Sequence, residues 1–251
     1  MRRRFGEAWD LLFASPFAHR GLWAPEGPPE NSLAAFEAAC QAGYGVELDV
    51  QLSSDGEAVV FHDADLARLT GQAGRLADHT AAELGGLKLA DADEVIPTLT
   101  EALVLIGGRA MVLIEIKTPY GEVGPLERRV CEVLIDYSGP SAVIGFNPYS
   151  HAWFADRHPK ILRGLDSYSY ARGGDADRLA PDLRRSFANL EHVELARPQF
   201  LALGLDMLPS AKADEHRAAG MPVLAWTVRS PAEWAKVSGH CDNQIFEGYA
   251  P

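Results

Sequence analysis

Short apolar runs alternate with longer stretches rich in Ala, Leu, Glu and Arg along most of the chain. This alternation is typical of strands and helices that follow one another around a parallel sheet. The pattern predicts eight strands, near Pro16–Ala18, Tyr44–Val50, Met111–Ile116, Ala142–Phe146, Ile161–Leu165, Phe200–Leu205, Pro222–Thr227 and Asn243–Phe246. Eight such units in 251 residues match the size of a (β/α)8 barrel, so we expect an α/β fold of the TIM-barrel class.

One section interrupts this rhythm after the sequence EAVVFHDADL. The next stretch, TGQAGRLADHTAAELGGLKLADADEVIPTL, is rich in Gly, Asp and Ala, and a helical pattern resumes at TLTEALVLIG. We interpret residues 66–97 as a small insertion after the second strand of a single domain, 1–251. A loop of this length at a barrel mouth is either a surface excursion or a segment that shapes substrate access.

Charge and composition limit the partners. The chain has 23 Lys and Arg against 35 Asp and Glu, and its net charge of -12 opposes nonspecific binding to nucleic acid or an anionic membrane. No apolar segment approaches the length of a transmembrane helix, so we expect no stable membrane insertion and a cytoplasmic location. For Arg2–Arg4 and Trp9–Phe13 we favour a packing helix over a membrane-surface helix. The sequence leaves the oligomeric state open.

Two carboxylates lie two residues apart in the predicted strand YGVELDV. Glu47 and Asp49 therefore point to the same side, whereas the apolar residues between and beside them predict that the strand is buried. Buried neighbouring carboxylates repel each other unless a cation or protons neutralise them. A hard divalent cation is the simplest solution, and salt bridges are the alternative.

The same spacing recurs in MVLIEIKTP, where Glu115 and Lys117 share one face at the end of an apolar strand. His19 and His62 also follow apolar runs, and a pair of imidazoles can share acid and base roles near neutral pH. Arg20 beside His19 has a planar fork that suits phosphate oxygens. Functional side chains of a barrel gather at the carboxyl ends of its strands, so these residues are candidates for one site.

Five ordered segments resemble the glycerophosphodiester phosphodiesterase family: AHRGLWAPEGPPENSLAAF, GVELDVQLSSDGEAVVFHDADLARLTG, IPTLTEAL, LIEIK and VLAWTV. They run from residue 18 to residue 227 and include His-Arg-Gly, Glu-Asn, Glu-x-Asp, His-Asp and Glu-x-Lys elements. The resemblance implies a (β/α)8 barrel with a small insertion after the second strand. It also implies the hydrolysis of small-molecule glycerophosphodiesters to glycerol 3-phosphate and an alcohol, with Mg²⁺ or Ca²⁺ as cofactor.

The resemblance also assigns roles to individual residues. It makes His19 and His62 the acid and base pair, without deciding which is which, or whether a cyclic phosphate forms. The substrate-binding residues it implies are Arg20, Asn31, Lys117 and Trp226, the last as an aromatic wall, and for Trp226 a core position is the alternative. The metal ligands it implies are Glu47, Asp49 and Glu115, with Glu30 near the metal.

The last predicted strand departs from the family pattern. The family ends this strand in a segment such as Gly-Val-Asp-x-Ile-x-Thr-Asp-x-Pro, whereas this chain reads HCDNQIFEGYAP. Glu247 stands where an Asp is expected, and no Thr precedes it. We expect the barrel to close but the details of the rim to differ.

Two other functions compete with this interpretation. A phospholipase D-like enzyme acting on lysophospholipids or sphingolipids would need an exposed apolar entrance, for which only residues 21–23 and 9–13 are candidates. A noncatalytic phosphodiester-binding barrel would need no pair of histidines. The alcohol leaving group is not determined by the sequence.

Overall fold

The computed structural model describes residues 5–90, 92–171 and 179–251, so Arg2–Arg4 lie outside the described residues. Eight parallel strands form the wall of a barrel: β1 Phe17–Ala18, β2 Gly45–Leu52, β4 Val112–Ile116, β5 Ser141–Gly145, β6 Leu162–Ser167, β7 Phe200–Gly204, β8 Val223–Val228 and β9 Asn243–Phe246. The barrel is closed because β1 pairs with both β2 and β9. The predicted (β/α)8 architecture is confirmed, and closure includes the divergent last strand.

A ninth strand, β3 Ala58–Val60, was not among the eight predicted strands. It runs antiparallel to β2, with Val50 opposite Val60 and Leu52 opposite Ala58. Gly56, at φ 85°, allows the tight turn between the two strands. The amide of Phe61 then donates to the carbonyl of Asp49 at 3.0 Å. This hairpin carries the chain from the carboxyl end of β2 back to the level of Asp49.

Helices separate most of the strands. Their bounds are α1 Glu7–Leu11, α2 Leu33–Ala42, α3 Ala67–Thr70, α4 Ala81–Leu84, α5 Leu99–Ile106, α6 Pro125–Asp136, α7 Pro148–Arg157, α8 Pro181–Ala188, α9 Val193–Ala196, α10 Ala211–Ala218 and α11 Pro231–Val237. Ser32 caps α2 through its hydroxyl, and Thr98 with Glu101 forms a capping box on α5. None of the helices in the described ranges has the length and apolar character of a membrane span.

The alternation of side chains along β2 separates the core from the site. Val46, Leu48 and Val50 face outward and are fully buried against the surrounding helices. The residues between them, Glu47 and Asp49, face into the barrel. Below them the barrel interior is filled by a second apolar cluster that includes Phe17, Leu113 and Phe200. Trp9 and Phe13 pack against this interior cluster, as expected of a packing helix.

The segment between β3 and α5 has a small core of its own, formed by Val59, Phe61, Leu66, Leu76, Leu84, Leu89 and Ile96. It contains α3, α4 and a 3₁₀ turn at Leu76–Asp78. These short elements begin beside His62, at the mouth of the barrel. The treatment of residues 66–97 as an insertion in a single domain stays a prediction.

Candidate active site

The first βα loop brings its two ends together. Arg20 and Asn31 both adopt left-handed backbone conformations, at φ 58° and 57°, and the amide of Asn31 donates to the carbonyl of Arg20 at 2.9 Å. Gly21 lies between this turn and α2, where an added Cβ would be 2.8 Å from the Cβ of Ala35. The Pro- and Gly-rich residues between these ends therefore form a closed loop over the barrel mouth.

The loop ends bind the carboxylates of β2. The amide of Arg20 donates to Glu47 Oε2 at 2.9 Å, and the side-chain amide of Asn31 donates to Asp49 Oδ2 at 2.8 Å. The guanidinium Nε of Arg20 lies 3.3 Å from the same Asp49 oxygen. These contacts fix both carboxylates in position inside the barrel mouth.

Three carboxylates converge at this point. Glu47, Asp49 and Glu115 are buried, and each offers an oxygen within 4.8 Å of those of the other two. Lys117 Nζ lies 2.9 Å from Asp49 Oδ1 and 2.7 Å from Glu115 Oε1. We call Glu47, Asp49 and Glu115 the acidic triad. The structure thus brings the three predicted metal ligands and the predicted phosphate-binding Lys117 into one place.

The electrostatics of the triad are unbalanced. Burial, with the charges of Asp49 and Glu115, raises the pKa of Glu47 well above its usual value. Burial raises the pKa of Glu115 to about 7, although Lys117 acts in the opposite direction. For Asp49, burial acts upward, but Lys117 and Arg20 together hold its pKa well below the usual value. Lys117, together with an Arg20 that is shared between Asp49 and Glu30, therefore does not neutralise the three buried carboxylates.

The donor set suits a hard divalent cation. Oxygen ligands are what Mg²⁺ and Ca²⁺ take in proteins, and a 2+ charge offsets the repulsion that raises the pKa of Glu47 and Glu115. Glu47 Oε1 is buried and has no hydrogen-bond partner among the described residues. An unsatisfied buried carboxylate oxygen is costly, and a metal ion would satisfy it. The triad therefore fits a divalent metal site.

His19 is oriented by the residue that departs from the family pattern. Its Nδ1 lies 2.6 Å from Glu247 Oε2, and its Nε2 lies 4.0 Å from Glu47 Oε2. Burial lowers the pKa of His19, against the effect of the Glu247 hydrogen bond. Burial alone would raise the pKa of Glu247, but the bond from His19 brings it to about 2. An ionised Glu247 thus favours the His19 tautomer with hydrogen on Nδ1, which leaves Nε2 facing the triad.

His62 has a similar partner. Its Nδ1 lies 2.7 Å from Asp63 Oδ1, and Asp63 also accepts from Arg68 at 2.5 Å. Burial and the charge of Lys117 lower the pKa of His62. Both histidines therefore have one ring nitrogen bound to a carboxylate, which leaves the other nitrogen available for proton transfer.

Glu30 lies beside the triad but is held by two arginines. Its oxygens accept from Arg20 at 2.8 Å and from Arg68 at 2.6 and 3.0 Å. Burial opposes the shift, but the two guanidinium groups lower the pKa of Glu30. Glu30 is not in the close group of three carboxylates, and its role as a metal ligand stays a prediction. The geometry gives it a clear part in orienting Arg20.

A cleft of about 2010 Å³ opens above these residues, and both histidines, Lys117 and Trp226 line it. Trp226 is partly buried, with its ring 5.6 Å from Phe146 and 6.5 Å from Tyr168 in edge-on arrangements. It is therefore a wall residue of the cleft that also packs against the barrel interior. Its contact with substrate stays a prediction.

Three further charged residues at the site were not among the predicted ones: Asp63, Arg68 and Asp166. Asp63 follows His62 directly, so the His-Asp pair was a usable signal. Asp166 follows directly after the predicted strand Ile161–Leu165, near the carboxyl end of β6, so its position was a usable signal. Arg68 belongs to the segment after β3, and its contact with Glu30 spans 38 residues. No local pattern indicates such a contact.

Known proteins share long stretches of this sequence. The model of the Glycerophosphoryl diester phosphodiesterase family matches residues 19–137. A glycerophosphodiester phosphodiesterase of Caldanaerobacter subterraneus is 39% identical over 158 residues, which cover 59% of this chain and 64% of that relative. YhdW of Bacillus subtilis, a provisionally assigned glycerophosphodiester phosphodiesterase, is 31% identical over 88% of each chain. The chain belongs to the glycerophosphodiester phosphodiesterase family.

The solved structures agree with this family assignment. A phosphodiesterase of Oleispira antarctica, determined in complex with its product sn-glycerol-3-phosphate, matches with a TM-score of 0.80 and 27% identity. That match covers 95% of this chain and 94% of the other. The fold of this glycerophosphodiester phosphodiesterase family member is thus shared across the whole barrel, including the strands beyond residue 137.

Proposed function

We propose that the protein hydrolyses glycerophosphodiesters to glycerol 3-phosphate and an alcohol, by acid and base catalysis from His19 and His62 beside a divalent metal ion. The observation that carries this proposal is the convergence of the acidic triad, Lys117 and two carboxylate-bound histidines at one barrel mouth. Family membership and the product bound to the Oleispira relative support the same reaction.

The chain's own residues account for substrate binding. Arg20 and Lys117 are the cations next to the triad, and both can hold nonbridging oxygens of the phosphodiester. Glu30 orients the guanidinium of Arg20, and Asn31 orients Asp49. The triad would hold Mg²⁺ or Ca²⁺, which supplies Lewis-acid stabilisation of the charge that develops on the phosphate.

The histidines divide the proton transfers. His19 Nε2 removes the proton of the attacking hydroxyl, because its Nδ1 donates to Glu247. His62 lies at the end of the β2–β3 hairpin, on the side of the residue 66–97 segment, and gives a proton to the departing alkoxide. If the attacker is water, glycerol 3-phosphate and the alcohol form directly. If it is a hydroxyl of the glycerol, the alcohol leaves and a cyclic phosphate forms, which water then opens to glycerol 3-phosphate.

The lysophospholipid alternative has less support. Of its two apolar candidates, Leu22 packs against the outer core, and Trp9 and Phe13 pack against the barrel interior. These three side chains are therefore used in folding, which leaves the partly buried Trp23 as the remaining large apolar side chain of residues 21–23. A noncatalytic role leaves the paired histidines without a purpose.

A substrate panel tests the proposal. Glycerophosphocholine, glycerophosphoethanolamine, glycerophosphoinositol and lysophosphatidylcholine are assayed with Mg²⁺, with Ca²⁺ and with EDTA. We expect turnover of the three glycerophosphodiesters with at least one of the two ions and weak turnover of the lysolipid. Preferred hydrolysis of the lysolipid in micelles would favour the alternative, and binding without turnover of any substrate would favour the noncatalytic barrel.

A further inference from the structure

Asp166 is a buried carboxylate at the site that the proposed reaction does not use. Along β6, Leu162 belongs to the interior cluster, and a Cβ on Gly164 would be 2.1 Å from the ring of Phe200. Asp166 is the next residue on that inward face, and it lines the cleft. It therefore lies in the floor of the cleft, at the carboxyl end of the strand.

One oxygen of this side chain lacks a partner. Asp166 is 2% exposed, and its Oδ1 has no hydrogen-bond partner among the residues the structure describes. Burial and the charge of Glu115 raise its pKa well above the usual value. Burying a carboxylate without partners costs free energy, so a ligand that supplies a hydrogen bond would offset that cost.

The known parts of the site do not supply this partner. The strongest electrostatic influences on Asp166 come from the three triad carboxylates and Lys117. Lys117 is already paired with Asp49 and Glu115, and Arg20 is already paired with Asp49 and Glu30. Asp166 lines the cleft, so a substrate bound there is placed to supply the missing donor.

The place of β6 in the barrel indicates which half of the substrate provides the hydrogen-bond donor for Asp166. β6 is separated from β2 by β4 and β5, whereas His62, the acid for the leaving alcohol, follows the hairpin on β2. In the proposed reaction the phosphate is at Arg20 and Lys117 and the leaving alcohol is at His62, which leaves the β6 side of the cleft for the glycerol. Phe146 and Trp226, whose rings also line the cleft, offer apolar faces there to the carbon atoms of a polyol.

We propose that Asp166 accepts a hydrogen bond from the terminal hydroxyl of the glycerol half, and so selects phosphodiesters in which this hydroxyl is free. The inference rests on the proposed function and adds a specificity-determining residue to it. It explains how a cleft of this size can prefer glycerophosphodiesters to their acylated counterparts, in which an acyl group replaces the hydroxyl hydrogen.

The test compares two substrates that differ only in this group. Glycerophosphocholine carries the terminal hydroxyl, and its 1-deoxy analogue, propane-1,2-diol phosphocholine, keeps the central hydroxyl and the leaving group. The 1-deoxy analogue leaves a buried oxygen of Asp166 unsatisfied, which corresponds to roughly 5- to 100-fold in kcat/KM, so wild type is expected to favour glycerophosphocholine by that factor. In Asp166→Leu the ratio is expected to fall to within about threefold of unity, because the acceptor is lost.

Three controls separate specificity from structure. Asp65→Asn removes an exposed carboxylate from the same cleft and is expected to keep the wild-type ratio. Asp166→Leu is expected to raise Tm by at least about 2 °C, because it removes an unpaired buried carboxylate, whereas loss of a structural hydrogen bond would lower Tm. Mg²⁺ affinity, measured by calorimetry, is expected to stay within threefold of wild type, since Asp166 is not in the triad.

The inference and the proposed function can fail separately. If wild type hydrolyses neither phosphodiester, the proposed function is wrong. If wild type hydrolyses both equally, if Asp166→Leu keeps the wild-type ratio, or if that variant loses Mg²⁺ affinity, Asp166 does not bind the terminal hydroxyl. A measurement on wild type alone adds a check: sn-glycerol 3-phosphate is expected to inhibit roughly 10-fold or more better than propane-1,2-diol phosphate, and equal inhibition would overturn the inference.

Discussion

Replacing Glu247 by Gln tests whether this residue orients His19 for catalysis. The change keeps the size of the side chain and removes its charge from a contact of 2.6 Å with His19 Nδ1. Both side chains are mostly shielded, at 14% and 17% exposure, so solvent screens this contact only in part. Removing the charge also weakens the preference for hydrogen on Nδ1, which the base role of Nε2 requires.

The size of the effect follows from this geometry. A charge-assisted hydrogen bond contributes about 1.5 to 3 kcal/mol, which corresponds to roughly 10- to 100-fold in rate. The second partner of Glu247 contributes little, because Arg229 is 57% exposed and its Nε lies 3.3 Å away. We therefore expect Glu247→Gln to lower kcat for glycerophosphocholine by roughly 10- to 100-fold with a smaller change in KM.

The assay uses two matched variants. Glu247→Asp keeps the charge at a shorter reach and is expected to recover part of the lost kcat, whereas Arg229→Gln is expected to stay within about threefold of wild type, because exposed ion pairs are weak. Wild-type kcat in Glu247→Gln would refute the positioning role. An equal loss in Arg229→Gln would show that the rim as a whole, rather than His19, is disturbed.

Other predictions concern the metal, the cations and the histidines. Chelation by EDTA is expected to abolish turnover and Mg²⁺ or Ca²⁺ to restore it, and full activity in exhaustive EDTA would contradict the metal assignment. Arg20→Ala and Lys117→Ala are each expected to lower kcat/KM by about 10-fold or more. Lys117→Ala is also expected to lower Tm, because it leaves buried carboxylates unpaired. Unchanged kcat/KM in either variant would mean that the replaced residue does not bind the phosphate. His62→Ala is expected to slow hydrolysis of glycerophosphocholine by roughly 10²- to 10⁴-fold. It is expected to slow hydrolysis of a p-nitrophenyl ester much less, because that leaving group hardly needs a proton, whereas His19→Ala is expected to slow both reactions. Equal losses on both substrates in His62→Ala would contradict the role of His62 as the acid. The profile of kcat/KM against pH is expected to be bell-shaped, with limbs that belong to the coupled pair of histidines. Burial lowers the pKa of both His19 and His62, so both limbs are expected at lower pH than the ordinary histidine value, and a profile without an acid limb would argue against a histidine base.

The sequence predicts the barrel well because its strands repeat one local pattern. In β2 and β4, alternation alone separates the outward apolar residues from Glu47, Asp49 and Glu115, and the closed sheet then brings their ends together. The short strand β3 was not predicted because its three residues, Ala-Val-Val, are all apolar and show no alternation. The Asp55-Gly56 pair was the local signal of its hairpin, and the pairing with β2 gives its register.

Contacts between distant segments set the rest of the site. The pairing of Glu30 with Arg68 and that of His19 with Glu247, which spans 228 residues, depend on the closed barrel and have no local signature. In Glu247 the sequence reveals a departure from the family, but only the structure gives its partner. For Asp166 the sequence shows a carboxylate directly after a predicted strand, but its missing hydrogen-bond partner could be found only in three dimensions.

Phosphorus NMR of the reaction with glycerophosphocholine tests the central claim most directly. Purified protein with Mg²⁺ or Ca²⁺ is expected to convert the phosphodiester signal into that of glycerol 3-phosphate, with choline released in equal amount and no conversion in EDTA. Formation of phosphocholine would mean that the other ester bond is cleaved. That result, an unchanged phosphodiester signal with either ion, or full conversion in EDTA would contradict the account.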